Sequence, residues 1–274
     1  MIDCQGPTFI VGGAVRCATG WIRECLSEHP DIYIQPKETH YFDQNYENGI
    51  DWYNQFFIDD SSKKIIGEKT ASYLHSLEVA TRIRASLPDV KLIFCLRDPV
   101  NRMYSHYKMS SNNDNNLQQK GFIPSVEYDL RYKEMGKYSK QLEPYLSQIP
   151  NKNILIKIYE DIEQDPYAFM SEIYAFVGAE QKYKAPSSQL RTKLGQFEYN
   201  NRIWRWISKI MLHPRAPFFL KTIYTDIRPN ETRNELTAKV YKKFSAYYEN
   251  DILELEEILD RDLDVWPTKR YAMN

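Results

Sequence analysis

A glycine-containing turn near the start of the chain combines small residues with one arginine. The segment from Gly12 to Trp21 joins an apolar, β-branched run to a stretch with helical spacing. Glycine and other small residues let backbone amides approach a phosphate, and Arg16 adds a charge with bidentate geometry. Thr19 could donate its hydroxyl at the start of the helix, where anions bind well. By itself the pattern favours an anion site no more than an ordinary glycine turn.

The same turn differs from the phosphate loop of nucleoside triphosphatases. That loop ends in Gly-Lys followed by Ser or Thr, whose hydroxyl binds Mg²⁺. Here the charge of Arg16 lies in the middle of the turn, and no Gly-Lys pair occurs within it. The turn therefore implies no divalent metal, and we expect none in this protein.

A second candidate anion site follows an apolar run farther along the chain. Arg97 comes directly after Val90 to Leu96, Pro99 opens a helical pattern, and Ser105 lies two turns along it. Arg97 and Ser105 could both reach a phosphate that lies beside the helix. The alternative is a capped helix with Arg97 in a surface ion pair. Together, the two sites would bracket a ligand with two separate phosphates, beyond the carboxyl ends of parallel strands.

The elements that would position these residues alternate between strand and helix. Apolar runs predict strands at Thr8–Gly12, Ile65–Glu68, Val90–Leu96 and Asn153–Ile158. Helical spacing predicts helices over Thr19–Glu28, Pro99–Met109, Gly136–Ser147, Tyr167–Val177 and Asn230–Leu263. We interpret Ser110–Lys120 as a polar loop and leave Pro186–Arg228 unassigned. The alternation favours a single α/β domain over residues 1–274, with a central parallel sheet flanked by helices.

Composition excludes some partners and leaves others open. The 36 basic and 37 acidic side chains give a formal charge of −1, so no global field favours nucleic acid or an anionic membrane. The sequence has no run of eighteen apolar residues, and we expect neither a signal peptide nor a membrane span. The four cysteines form no CxxC pair, which favours reduced thiols and a cytoplasmic location. The oligomeric state is not predicted.

Several ordered motifs resemble those of a known family. They are the turn up to Trp21, the spacing from Arg97 to Ser105, His29-Pro30, Lys37 to Asp43 (KETHYFD), Trp52-Tyr53, and Gly67 to Thr70 (GEKT). Together they resemble the sulfotransferases that use 3′-phosphoadenosine 5′-phosphosulfate (PAPS), and most closely the branch with the heparan sulfate sulfotransferases and their bacterial relatives. The resemblance runs from about Thr8 to Gly178, and a C-terminal helix ending in Asp264-Val265-Trp266 also fits.

The resemblance implies a P-loop nucleotide-kinase-like sulfotransferase fold and a set of roles. Arg16 would contact the 5′-phosphosulfate, Arg97 and Ser105 would bind the 3′-phosphate, Glu38 would be the general base, and Lys69 would lie near the reacting centre. The full cofactor-binding set would be Gly13, Ala14, Arg16, Cys17, Ala18, Thr19, Gly20, Trp21, Arg97 and Ser105. Trp21 matches a position that stacks on adenine in some members, although core packing on a helix face is its alternative. Gly20 departs from the family, which usually has a hydroxyl residue there, and this removes one phosphate contact.

The implied reaction is an in-line sulfuryl transfer that releases 3′,5′-adenosine bisphosphate. Glutamate is ionised at neutral pH, so Glu38 could accept the acceptor's proton. His40 is a second candidate base, because on a strand it would face the same side as Glu38. We expect the acceptor to be a hydroxyl or amine of a small polar metabolite or a glycan, contacted by residues 41–57 and 110–138. A non-catalytic phosphoadenosine-binding protein and a phosphotransferase on a related fold are the alternatives.

Overall fold

The computed structural model describes residues 6–60, 65–111, 114–188 and 236–273. Within these ranges, five strands form one sheet: β1 (Phe9–Gly13), β2 (Ile32–Ile34), β3 (Ile65–Lys69), β4 (Lys91–Leu96) and β5 (Ile154–Ile158). Their spatial order is β2-β3-β1-β4-β5, and every pair is parallel. The predicted parallel sheet is therefore confirmed, and the ends of the four predicted strands are correct to within one residue. The sequence reading missed β2, which is only three residues long.

The register of the sheet brings the candidate site residues to one edge. Val11 of β1 lies opposite Lys69 of β3 on one side and Ile93 of β4 on the other. Because parallel strands end at the same edge, the turn after β1 lies between Lys69 and the residues that follow β4. Arg97 is the first of those residues.

Close packing of β1 against β3 depends on one glycine. All five residues of β1 are buried, as expected for a parallel strand covered on both faces. A Cβ at Gly67 of β3 would lie 2.1 Å from a ring atom of Phe9. Glycine is therefore required for the Phe9 ring to pack on the strand that ends in Glu68 and Lys69.

Helices and short 3₁₀ turns make up most of the remaining described structure. The longer helices are α1 (Thr19–Ser27), α4 (Leu77–Ser86), α5 (Pro99–Ser111), α9 (Tyr138–Gln148), α11 (Pro166–Val177) and α13 (Glu249–Leu259). The shorter ones are α2 (Tyr41–Gln44), α3 (Ile50–Asn54), α6 (Asn115–Lys120), α7 (Phe122–Tyr128), α8 (Arg131–Glu134), α10 (Glu160–Gln164), α12 (Ala238–Phe244) and α14 (Pro267–Ala272). The 3₁₀ turns span Tyr46–Asn48, Gln55–Asp60, Tyr73–His75, Asn151–Asn153 and Ser245–Tyr248.

Large aromatic side chains join the helices to the sheet and to one another. The ring of Tyr145 on α9 packs edge-on against Phe94 of β4, with centroids 4.9 Å apart. The ring of Trp21 on α1 packs against Phe169 on α11 at 5.9 Å. All four side chains are at least 98% buried. Burial of such rings supplies a large hydrophobic contribution to the core.

The prediction of a loop over Ser110–Lys120 is wrong for most of its length. Helix α5 continues through Ser111, and residues 115–120 form α6. The carboxylate of Asp114 accepts hydrogen bonds from the amides of Asn116 (2.8 Å) and Leu117 (3.2 Å). This side-chain cap satisfies amides that would otherwise be unpaired, so a polar stretch can begin a helix.

The C-terminal helix is also shorter and more broken than predicted. Of Asn230–Leu263, residues 230–235 lie outside the described ranges, and the remainder is divided by the 3₁₀ turn at Ser245–Tyr248. Helix α13 ends at Leu259, where Asp260 takes a left-handed conformation with φ of 47°. Asp264-Val265-Trp266 therefore lie in a connection and not at a helix end, because Trp266 is the N-cap of α14.

No described helix is long and apolar enough to cross a bilayer. Most of the unassigned stretch Pro186–Arg228 lies outside the described residues. That residues 1–274 form a single domain stays a prediction.

Candidate active site

The turn between β1 and α1 is held against β4 and has left-handed backbone at two positions. The amide of Ala14 donates to the carbonyl of Cys95 (2.9 Å), and the amide of Cys17 donates to the carbonyl of Ala14 (3.2 Å). Arg16 and Ala18 have φ of 69° and 60°, a region that non-glycine residues seldom adopt and that is concentrated at ligand sites. Among the residues that the structure describes, no side chain caps α1, so its first-turn amides can bind an anion.

The predicted cofactor residues of the turn lie together at this helix start. They are Gly13, Ala14, Arg16, Cys17, Ala18, Thr19 and Gly20, and all but Arg16 and Gly20 are buried. A Cβ at Gly13 would lie 2.6 Å from Cβ of Leu74. Any larger residue at position 13 would therefore clash with the side chain of Leu74.

Three predicted phosphate ligands from separate segments meet at Arg16. Its Nε donates to Oγ of Ser105 on α5 at 3.0 Å. A guanidinium nitrogen of Arg97 lies 3.4 Å from the backbone carbonyl of Arg16, to which it donates. The structure thus brings the turn, the end of β4 and the second turn of α5 into contact, whereas the sequence analysis placed them at two separate sites; their binding of phosphate stays a prediction.

Arg97 also forms one wall of a cavity of about 1110 Å³. Its guanidinium lies over the ring of Tyr159, 4.2 Å from the centroid. Its Nε is buried and has no hydrogen-bond partner in the described part of the chain. The cavity is lined by Arg97, Asn101, Tyr159, Glu160, Glu163, Gln164, Leu236, Tyr241, Lys242, Val265, Pro267, Arg270 and Tyr271. An unpaired buried donor beside a cavity of this size fits a bound anion.

The carboxyl of Glu160 is part of the same cavity wall. Burial, and after it the nearby charge of Asp98, raise the pKa of this carboxyl to about 7, although the positive charge of Arg97 lowers it. Its two oxygens accept from the amide of Asp98 (3.1 Å) and from Nε1 of Trp266 (2.8 Å). Both contacts join segments that are far apart in the chain, so Glu160 anchors the C-terminal segment to the end of β4.

Glu38 lies between two basic side chains. One of its oxygens accepts a hydrogen bond from Nζ of Lys69, and the other lies 3.1 Å from Nε2 of His40. The three side chains are all partly exposed. A carboxylate in this position can accept a proton from a bound hydroxyl or amine, beside a fixed positive charge.

His40 has further partners that sequence reasoning missed. Its Nδ1 lies 3.2 Å from Oδ2 of Asp43, and the same carboxylate oxygen accepts from Oγ of Ser72 at 2.5 Å. Glu38, His40 and Asp43 thus form a carboxylate–imidazole–carboxylate series. Asp43 was inside the quoted KETHYFD motif, and its separation of three residues from His40 was the available signal. Ser72 comes from the segment after β3 and left no signal in the sequence.

The prediction that Glu38 and His40 share one face of a strand is wrong. The two residues do not lie on a strand; they occupy the connection between β2 and α2. His40 is the N-cap of α2 and has a left-handed backbone, with φ of 50°. It is this turn, and not strand alternation, that directs both side chains to the same place.

Trp21 and Cys17 are enclosed by protein. Trp21 has no exposed surface, and its indole N–H donates to the carbonyl of Ser187 at 3.3 Å. Trp21 therefore packs in the core, which was the alternative to adenine stacking in the sequence analysis. Stacking of Trp21 on adenine stays a prediction. Burial raises the pKa of the Cys17 thiol to about 11, so it is neutral at physiological pH. Cys17, Cys25 and Cys95 are free and buried, while Cys4 lies outside the described residues.

One group of carboxylates resembles a metal site, but a lysine lies within it. Glu256, Asp262 and Asp264 have oxygens close enough to share an ion. Nζ of Lys269 lies 2.7 Å from Glu256, 2.6 Å from Asp264 and 3.6 Å from Asp262. The ammonium balances charge that a cation would otherwise balance.

Comparison with known proteins identifies the family of the chain. The family model described as "Sulfotransferase domain" matches residues 7–258. Heparan sulfate glucosamine 3-O-sulfotransferase 3B1 of Mus musculus is 31% identical over 188 residues, which is 64% of this chain and 46% of that protein. The chain thus matches less than half of the length of this curated relative.

Solved structures show the same fold. A sulfotransferase from Alicyclobacillus acidocaldarius aligns with a TM-score of 0.69 at 21% identity, over 96% of this chain and 99% of that one. Mouse sulfotransferase SULT7A1, solved in complex with PAP, aligns with a TM-score of 0.53 at 13% identity, over 92% and 90% of the two chains. Since the family model covers most of the chain and agrees with the fold, this protein belongs to the sulfotransferase family.

Proposed function

We propose that this protein transfers the sulfuryl group of PAPS to a hydroxyl or amine of a glycan or a small polar metabolite. The observation that carries the proposal is the contact of one carboxylate, that of Glu38, with both Lys69 and His40. A protein that only binds the nucleotide has no use for a partly exposed carboxylate held between two basic groups. A catalyst needs such a group to accept a proton at the reacting centre.

The donor would lie across the edge of the sheet where the strands end. The amides of the turn and Arg16 would hold the 5′-phosphosulfate, with Thr19 at the helix start. Arg97 and Ser105 would hold the 3′-phosphate, and the unpaired Nε of Arg97 fits this role. The PAP bound to the mouse neighbour supports a donor of this chemistry. No residue of the turn calls for a metal ion, so we propose that binding is independent of metal.

The chemical step follows from the positions of the basic and acidic side chains. Glu38 would take the proton of the acceptor as its oxygen or nitrogen forms a bond to sulfur. The bond between sulfur and the bridging phosphate oxygen breaks in the same step, and the electron pair leaves with that oxygen. Arg16 and Lys69 would stabilise the charge that develops there. His40, held by Asp43, would support Glu38 or take the proton itself.

The acceptor that we propose carries little charge. The similar mouse protein is named a heparan sulfate glucosamine 3-O-sulfotransferase, which supports a sugar hydroxyl as the acceptor group. The net charge of −1 gives no broad field for a highly sulfated polymer. We therefore propose a glycan of low charge or a small polar compound, contacted by residues near α2–α3 and α6–α8.

Incubation of the chain with PAPS and a panel of acceptors tests the proposal. The panel would include glucosamine oligosaccharides, N-acetylhexosamines and small hydroxyl and amine compounds, with products read by mass spectrometry. We expect one class of acceptor to give a product about 80 Da heavier than the unmodified compound, which is the mass gained on sulfuryl transfer. An equal amount of 3′,5′-adenosine bisphosphate should form. Tight binding of the bisphosphate with no product from any acceptor would favour the non-catalytic alternative. Turnover with ATP and Mg²⁺ would favour a phosphotransferase.

A further inference from the structure

A second glutamate lies directly behind the proposed active site and has no exposed surface. Glu68 is on β3, immediately before Lys69, and is 0% exposed. Burial raises the pKa of its carboxyl to about 7, although hydrogen bonds from neighbouring hydroxyls, first that of Thr39, lower it. A carboxyl in the interior is unfavourable unless it is hydrogen-bonded. Burial of Glu68 therefore depends on its hydrogen-bond partners.

The main partner of Glu68 is the residue between the two candidate bases. Oγ1 of Thr39 donates to Oε2 of Glu68. Because the single hydroxyl hydrogen of Thr39 is used in this bond, Tyr73 donates its own hydroxyl to Thr39, at 3.2 Å. The amide of Tyr41 donates to the same Thr39 oxygen (3.3 Å), and the amide of Phe42 donates to the Tyr73 hydroxyl (3.3 Å). Glu68 thus ends a hydrogen-bond series that begins at the start of α2.

The segment held by this series needs an external restraint. His40 has a left-handed backbone, which non-glycine residues keep only where surrounding contacts impose it. Nδ2 of Asn45 bonds the carbonyls of Thr39 and His40 at 3.1 Å each, but Asn45 belongs to the same segment and cannot fix it relative to the sheet. The hydrogen bond from Thr39 to Glu68 does fix the segment relative to the sheet, because Glu68 is part of β3.

The two neighbouring residues of β3 have different tasks. Successive side chains of a strand point to opposite faces, so Lys69 reaches Glu38 while Glu68 reaches Thr39 from the interior. Glu68 is unsuited to be the base itself, since it is fully enclosed and faces Tyr53 and Tyr73. We propose, building on the proposed function, that Glu68 is a positioning residue. Through Thr39 it holds Glu38 and His40 at the distance from Lys69 that proton transfer requires.

A double-mutant cycle on this hydrogen bond tests the inference. Thr39→Val keeps the shape of the side chain and removes the hydroxyl, and Glu68→Met keeps its length and removes the acceptor. Each should lower kcat by about 10- to 100-fold, because displacement of reacting groups by about 1 Å has effects of this size. The double variant should lose no more than either single variant, because both break the same bond. Turnover would be measured with the acceptor that the panel identifies.

Controls separate positioning from general loss of structure. Thr39→Ser retains the hydroxyl and should restore turnover, and Thr81→Val on the exposed face of α4 should be neutral. KM and the affinity for 3′,5′-adenosine bisphosphate, measured by calorimetry, should change little in all variants. Unchanged kcat in Thr39→Val, equal loss in Thr39→Ser, or additive losses in the double variant would each overturn the inference. Failure of the wild-type chain to transfer sulfuryl to any acceptor would instead reject the proposed function, and the positioning role of Glu68 with it.

Discussion

Nε of Arg16 donates a hydrogen bond to Oγ of Ser105 at 3.0 Å, although the two residues are 89 positions apart in the chain. One belongs to the turn after β1 and the other to the second turn of α5. With Arg97 bonded to the Arg16 carbonyl, the two anion sites are continuous. Phosphates bound at both sites would share one edge of the sheet, and would compete with this internal hydrogen bond for Arg16.

Binding of 3′,5′-adenosine bisphosphate should be independent of metal. The turn has no Gly-Lys-Ser/Thr ending, the sequence in which the Ser or Thr hydroxyl binds Mg²⁺. Calorimetry in EDTA and in Mg²⁺ should give the same Kd. A strict Mg²⁺ requirement would contradict the assignment of both anion sites.

Arg97 and Ser105 should determine recognition of the 3′-phosphate. Arg97→Ala and Ser105→Ala should each weaken binding, with a loss for the arginine of about 1.5–3 kcal/mol, the usual contribution of a charge-assisted hydrogen bond. Discrimination against the nucleotide without a 3′-phosphate should shrink in parallel. Arg84→Ala, at an exposed position of α4, is the matched control. If Arg97→Ala keeps the discrimination intact, another residue binds this phosphate.

The strands and the sites at their ends were predictable because they depend on local patterns. Runs of four to seven residues, rich in apolar side chains, identified β1, β3, β4 and β5, and the residues directly after β1 and β4 proved to be neighbours. The position of His40 was predicted for the wrong reason, because its left-handed backbone depends on contacts made by Thr39 and Asn45. Ser72 and the buried Glu68–Thr39 bond could not be found from spacing, since they join segments whose relative placement only the fold sets. Helix α6 was not predicted because its sequence is mostly polar. The side-chain cap of Asp114, which pairs the first amides of the helix, stabilises it despite that composition.

Glu68 should make stability depend on pH in a specific direction. Its pKa is about 7 in the folded protein and 4.5 for an unperturbed side chain. Between these values the folded state binds more protons than the unfolded state, so the free energy of unfolding should fall as pH rises from about 4.5 to 7. Glu68→Gln removes this titration and keeps an oxygen that accepts from Thr39. Melting temperatures measured from pH 4.5 to 8 should fall less steeply for Glu68→Gln than for the wild type; parallel curves would exclude the shifted pKa.

Gly67→Ala should destabilise the protein through the sheet. The added Cβ would lie 2.1 Å from the Phe9 ring, and overpacking of a buried site typically costs about 1–3 kcal/mol. Urea unfolding should show a lower midpoint. The companion variant Phe9→Leu with Gly67→Ala should recover part of the loss, since it removes the clashing ring. A midpoint equal to that of the wild type would show that the Phe9 ring can move without cost.

Glu38→Gln should separate catalysis from binding. The amide keeps the size of the side chain but cannot accept a proton, and loss of a general base typically lowers kcat by about 10²–10⁴-fold. The affinity for 3′,5′-adenosine bisphosphate should change little, as expected for an interaction used in the transition state. Glu47→Gln, exposed in the turn after α2, is the control for loss of a nearby charge.

The same measurement on His40→Asn, Asp43→Asn and the Glu38→Gln/His40→Asn double variant assigns the base. If Glu38 is the base, His40→Asn should have a smaller effect than Glu38→Gln, and Asp43→Asn should have an effect no larger than that of His40→Asn, because Asp43 acts only by orienting the imidazole. If His40 takes the proton, the order of the losses in kcat reverses. His40→Asn should then abolish turnover, Asp43→Asn should cause the next largest loss, and Glu38→Gln should remain active. Because the three side chains are in contact, their effects should be strongly non-additive. Full activity in all of these variants would mean that the acceptor needs no base, and the role proposed for Glu38 would be wrong.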